Sequence, residues 1–126
     1  MKWRIAAALV LALPLTALFA FVGWYKAFAP IPELAEHHAW TVWLPEGLGR
    51  LVGWSEMACA LVLPGVVHPR TRAFAAGGAM ILVANQMIAA VFHIRHAELA
   101  SLPQNAVITA LAAGVIFFSR TRAREI

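Results

Sequence analysis

Gly47-Leu48-Gly49-Arg50-Leu51-Val52-Gly53-Trp54-Ser55-Glu56-Met57-Ala58-Cys59-Ala60-Leu61-Val62-Leu63-Pro64-Gly65 is apolar or small at nearly every position, with one carboxylate near its middle. Its length is close to the ~20 residues an α-helix needs to cross the hydrocarbon of a bilayer. Pro64-Gly65 marks its end. An ionised side chain at that depth costs roughly 3 kcal/mol on insertion scales, so an intramembrane Glu56 calls for a partner and a task.

The rest of the chain agrees with that reading. Its 126 residues are 62% hydrophobic and 13% charged, with mean hydropathy +0.75, whereas soluble domains are about 25% charged. Further apolar runs cover residues 5–25, with Pro14 as an expected kink, 73–94, and 103–119, where Pro103 suits a first helical turn after Ser101. With 48–67 they make four spans. The expected fold is all-α, a transmembrane antiparallel four-helix bundle forming a single domain over residues 1–126. A short interfacial segment, helical somewhere within residues 33–44, joins helices 1 and 2.

The net charge of +4 does not point to nucleic acid, because the basic residues flank the spans. Lys2 and Arg4 precede the first, Arg70 and Arg72 join the second to the third, and Arg120, Arg122 and Arg124 follow the fourth. The positive-inside rule then places both termini and the 68–71 turn in the cytoplasm, and Ala- and Arg-rich usage fits a bacterial inner membrane. Met1 to Arg4 and the Ala27-Phe28-Ala29 triplet imitate a cleavable signal peptide. The apolar run is too long for a usual signal core and Pro30 would follow the cut, so a retained helix is the expectation.

Trp24, Tyr25, Trp40 and Trp43 read as an aromatic belt at one membrane surface, and Trp3 at the other. Gly49-x-x-x-Gly53 and Ala110-x-x-x-Gly114, with Ala75, Ala79, Ala89 and Ala90, offer small surfaces at which helices can approach closely.

Counting about 1.5 Å per residue from the outer ends places Glu56 roughly 12–14 Å deep, level with Asn85 and Gln86, and Arg50 level with His93. Gln86 and His93, seven apart, share a face, while Asn85 is turned away from His93. Lys26 ends the first span on the same side, and Gln104 and Asn105 start the fourth. The inner halves of the spans carry only Thr16 and Cys59 as polar residues. The candidate ligand-binding set is therefore Glu56, Arg50, His93, Gln86, Asn85 and Lys26, lining a pocket open to the outside. Each member also has a plainer role. Glu56 can be a neutral hydrogen-bonded acid or a structural partner of Arg50 or Lys26. Arg50 and Lys26 can snorkel to headgroups, Asn85 and Gln86 can join helices, and His93 can face the surface. His37, His38 and His96 read as solvated loop residues, and adjacent histidines are poorly spaced for a shared metal. One cysteine, Cys59, excludes an intrachain disulfide or a Cys-x-x-Cys pair.

The segment Arg50-Leu51-Val52-Gly53-Trp54-Ser55-Glu56, with Gly23 and Lys26 before it, Ala60-Leu61-Val62-Leu63-Pro64 after it, residues 84–93, and Asn105 opening a Leu/Ala-rich last span, resembles the DoxX-like family of small four-helix membrane proteins. Members include the membrane subunit of a thiosulfate:quinone oxidoreductase and a membrane protein of methylamine dehydrogenase maturation. The resemblance implies quinone-linked or periplasmic redox work without naming a reaction. No haem motif, flavin fingerprint or dithiol is present, so no covalent cofactor is expected and a quinone is the candidate ligand. The expected partners are the lipid bilayer, a small lipophilic ligand, and a membrane or periplasmic protein. The competing function is a non-catalytic scaffold or assembly factor. A transporter ranks last, because one short chain with a dry inner half has too few polar groups to line a pathway.

Overall fold

The computed structural model describes residues 2–120, so Arg122 and Arg124 lie outside the described residues. The elements are α1 (Lys2–Phe28), a short α2 (Ile31–Glu36), a 3₁₀ turn (Trp40–Trp43), α3 (Glu46–Val62) extended by a 3₁₀ segment (Leu63–Val67), α4 (Arg72–Arg95), a 3₁₀ turn (Leu99–Ser101) and α5 (Leu102–Ser119). No strand occurs among the described residues. Four stretches are long and apolar enough to cross a membrane: Lys2–Phe28, Glu46–Val67, Arg72–Arg95 and Leu99–Ser119. They form the antiparallel four-helix bundle expected from the sequence. α1 packs against α3 and α5, and α4 closes the ring against α5 and, over a smaller area, α3.

Proline places several of the breaks. Pro14 lies inside α1, whose helix continues past it. Pro64 cannot donate to the α ladder, and the chain tightens into a 3₁₀ segment there. Pro103 sits in the first turn of α5, where its missing N–H costs nothing.

Backbone proximity between α1 and α3 rests on two glycines. A Cβ on Gly53 would stand 2.5 Å from Ala27 N and 2.7 Å from Gly23 O, and one on Gly23 would stand 2.7 Å from Gly53 O. No side chain fits at either position, so the helices meet backbone to backbone. The motif glycines divide their duties: Gly53 faces α1, Gly49 faces Thr41 of the 3₁₀ turn, and Gly114 faces Leu11 of α1.

The two ends of the bundle differ in kind. At the end holding Lys2, Arg4, Arg70 and Arg72, the interior is dry: Ala12, Leu15, Leu63, Val66, Ala75 and Val115 are fully buried. Arg4 donates to Phe117 O at 2.7 Å and so ties α1 to the last turn of α5. Thr71 Oγ1 donates to Gly65 O and Arg72 Nε to Val66 O, which hold the basic turn. The outside is apolar, with Val10, Phe21, Leu61 and Phe74 each more than half exposed, as lipid-facing helices require. The opposite end, closed over by residues 30–45, holds Lys26, Thr41, Glu56, Gln86 and His93, which are buried polar side chains.

Candidate functional site

The buried polar set begins with an ion pair. Lys26 Nζ donates to Glu56 Oε1 at 2.9 Å, with the two side chains 9% and 0% exposed. The glycine contact sets this pairing. Gly53 abuts the backbone at Lys26 and Ala27, and Gly23 abuts Met57 N, so Glu56 lies three residues, about 4.5 Å, deeper than Lys26. Helical side chains lean toward their own N-terminus. In antiparallel α1 and α3, that tilt sends Lys26 deeper and Glu56 shallower, and the two meet.

Lys26 also faces a cavity of about 440 Å³. α1 supplies Leu18, Phe19, Phe21, Val22, Tyr25 and Lys26; α4 supplies Gln86, Ala89 and His93; the 3₁₀ turn before α5 supplies Ser101, and α5 supplies Gln104, Asn105 and Ile108. Residues His37, His38, Ala39 and Trp40 complete the lining from the α1–α3 connection. The deep walls are mostly apolar and the polar groups stand nearer the connection. Lys26 Nζ lies 5.7 Å from the centre of the Trp40 ring, a cation–π distance.

Several buried polar atoms here have no hydrogen-bond partner in the protein: Trp40 Nε1, Asn105 Oδ1, Glu56 Oε2 and His93 Nδ1. Leaving such a group unmet costs about 1–3 kcal/mol each. Three of them, Trp40 Nε1, Asn105 Oδ1 and His93 Nδ1, belong to residues that line the cavity. Asn105 Nδ2 is used, donating to Gln86 Oε1 at 2.7 Å across α4 and α5.

Of the six residues singled out from the sequence, Lys26, Gln86 and His93 line the cavity and are buried. Glu56 is wholly buried and stands behind Lys26 rather than on the cavity wall. Arg50 is elsewhere. Its guanidinium donates to the carbonyls of Lys26 and Ala29 and contacts Glu46 at 3.4 Å. It caps the open carbonyls at the end of α1, a favourable place for a cation. Asn85 is also off the lining. It lies seven residues beyond Gly78, which faces Cys59 and Val62, so it shares the α3-facing side of α4.

One expectation about the connection is corrected. Trp40 is not a surface anchor: it is 4% exposed and packs on Phe92 at 5.6 Å. His37 and His38 are exposed yet line the cavity mouth. The cause is a pair of chain reversals. After α2, His38 N–H bonds to Ala35 O and Ala39 N–H to Leu34 O, with His38 at φ 58. After α4, Ala97 N–H bonds to Ile94 O and Glu98 N–H to His93 O, with Ala97 at φ 57. Both are Schellman caps whose left-handed position is normally glycine. They fold the connection across the mouth and bring Glu98, unnoticed in the sequence, beneath it. Trp43 stacks on His96 at 3.6 Å, and His38 Nδ1 contacts Glu98 Oε2 at 2.7 Å. Burial raises the Glu98 pKa, but the imidazoles of His38 and His93 outweigh it and hold the carboxyl below its ordinary value. Among the described residues, no group of three or more His, Cys, Asp or Glu is placed to hold a metal ion.

The model of the DoxX-like family matches residues 10–115, which cover most of each of the four long helices and every residue of the cavity. Among curated proteins and among solved structures, nothing matches the chain.

Proposed function

The chain belongs to the DoxX-like family and is a multi-pass membrane protein, and on that premise we propose that its cavity binds a small lipophilic molecule, with a quinone as the candidate ligand, within a redox-linked membrane system. The observation that carries this reading is the pairing of apolar walls with unmet buried polar atoms around about 440 Å³, a volume within the ordinary range of small-molecule sites. A carbonyl oxygen can accept from Lys26 Nζ or Trp40 Nε1. A hydroxyl can donate to Asn105 Oδ1. Phe21, on the cavity rim, is 67% exposed on the lipid-facing surface, which gives a lipophile a lateral way in. The basic residues at the opposite end orient the cavity to the outside of a bacterial inner membrane, with both termini cytoplasmic.

The test is a titration of the protein in quinone-free nanodiscs with a short-chain benzoquinone, read by tryptophan fluorescence and by equilibrium dialysis. Saturable binding is expected. Trp40→Phe, which removes only an unpartnered donor and some ring area, weakens it by about five- to thirtyfold, the equivalent of 1–2 kcal/mol. Uptake that rises linearly with quinone, or a Trp40→Phe protein that binds equally well, contradicts the proposal. The scaffold reading would then stand, with Glu56→Gln lowering only expression and a partner protein co-purifying.

A further inference from the structure

Three side chains run in single file from the cavity wall to its solvated mouth, where His38 stands. His93 lines the cavity and is 6% exposed. Its Nδ1 stands 3.4 Å from Glu98 Oε1, and Glu98 is 15% exposed. The other carboxylate oxygen, Oε2, lies 2.7 Å from His38 Nδ1, and His38 is 65% exposed. Exposure rises along the file from buried to solvated. His93 Nδ1 and Glu98 Oε1 are buried and make no hydrogen bond, and the 3.4 Å contact between them falls short of one. The 3.4 Å gap is of the kind that tightens when a ligand is bound.

The backbone around the file is strained. His38 and Ala97, the residue before Glu98, both hold left-handed φ values without being glycine, at a cost of about 1–2 kcal/mol each. Such strain survives where neighbouring contacts over-determine it, and it gathers at functional sites. Here both strained residues deliver members of the same file.

Resting on the cavity reading above, we infer that His93, Glu98 and His38 form a proton path between the cavity and the aqueous face, and that the ligand is a lipophile of the phenol or quinol type that exchanges a proton while bound. A ligand hydroxyl gives its proton to His93 Nε2. His93 passes the Nδ1 proton to Glu98 Oε1. His38, whose Nδ1–H donates to the resting carboxylate, turns its solvated ring so that the free Nε2 takes the proton from the neutral carboxyl group, and its Nδ1 proton leaves to water. One proton leaves, and the ligand keeps the negative charge beside Lys26 Nζ. The titratable groups facing this path are Lys26 and Tyr25 from α1, Glu56 from α3 behind Lys26, and His37 from the connection; the last 3₁₀ turn and α5 contribute only uncharged Ser101, Gln104 and Asn105.

A pH-jump experiment tests it. An alkyl-substituted nitrophenol, whose ionised form absorbs visible light, is bound to the protein in nanodiscs and its ionisation followed by stopped flow. Wild-type protein is expected to ionise the bound probe rapidly. Measured at saturating probe, Glu98→Gln and His38→Ala slow that ionisation at least tenfold, and added imidazole restores the rate in His38→Ala. A purely structural role for His38 would not be rescued by a soluble proton carrier. Variants that bind the probe and ionise it at the wild-type rate overturn the path while leaving the cavity reading intact. Wild-type protein that binds no nitrophenol overturns both.

Discussion

Breaking the Lys26–Glu56 pair from one side leaves a charge stranded in the bundle. Both side chains are more than nine-tenths buried and the contact is 2.9 Å, so Lys26→Met leaves an uncompensated Glu56. Losses of this kind run to about 3–5 kcal/mol. Glu56→Leu strands Lys26 in the same way, although Lys26 also borders the cavity and can turn toward it, so its cost falls at the lower end of that range. Replacing both residues removes the two desolvation penalties together, and buried pairs exchanged for apolar residues of similar size are often neutral or stabilising. The double variant is therefore expected within about 1 kcal/mol of wild type, with a coupling free energy above about 3 kcal/mol between the sites. Unfolding by SDS from mixed micelles, read by tryptophan fluorescence, measures all four proteins. Single variants that each cost less than about 1 kcal/mol, or effects that simply add, would refute the burial of this pair inside the bundle. The double variant also separates structure from function: it is expected to fold and to have lost benzoquinone binding.

Three further outcomes follow from the packing and the caps. Gly53→Ala forces a Cβ to 2.5 Å from the α1 backbone and is expected to destabilise by about 1–3 kcal/mol. Gly77→Ala meets nothing within 4 Å and is expected to be neutral or to stabilise by up to about 1 kcal/mol; the same SDS unfolding assay ranks the two. Ala97→Gly relieves a left-handed residue at a Schellman cap and is expected to raise stability by about 1 kcal/mol. If it lowers stability instead, the cap geometry is wrong. Glu98 has a folded pKa below its unfolded value near 4.5, so its ionised form favours the folded state. That contribution is complete above pH 4.5 and is lost as pH falls through the lower folded value. Glu98→Gln is expected to flatten this acid limb in unfolding curves measured against pH.

The bundle was legible because lipid imposes a simple rule. Apolar runs near span length, divided by prolines and flanked by arginines, leave little choice but four antiparallel helices. The burial of Glu56 followed from the same counting. Its partner did not, since both Lys26 and Arg50 stood as candidates. The choice depends on how Gly23 and Gly53 set the offset of α1 against α3, and glycine spacing alone does not give that offset. Arg50 takes two backbone carbonyls as acceptors, and carbonyls are present everywhere in a sequence and mark nothing. The mouth of the cavity was hidden for a different reason. Its two chain reversals place His38 and Ala97 where glycine would normally signal a helix stop. Without that punctuation, nothing showed that residues 37–40 turn inward to cover the bundle or that Glu98 lies beneath them. Trp40 illustrates the result, since tryptophan beside a span usually reports a membrane surface, whereas here the folded connection buries it.

The most direct test of ligand binding at the Lys26 end of the bundle is site mapping by photolabelling. A photoactivatable benzoquinone is crosslinked to the protein in nanodiscs, and the labelled peptides are located by mass spectrometry, with excess unlabelled benzoquinone as competitor. The account predicts competable labels confined to residues 18–26, 37–40, 86–93 and 101–108, the segments that line the cavity. Labels spread along the lipid-facing surfaces without competition, or concentrated at the dry basic end around Leu63 and Val66, would contradict it.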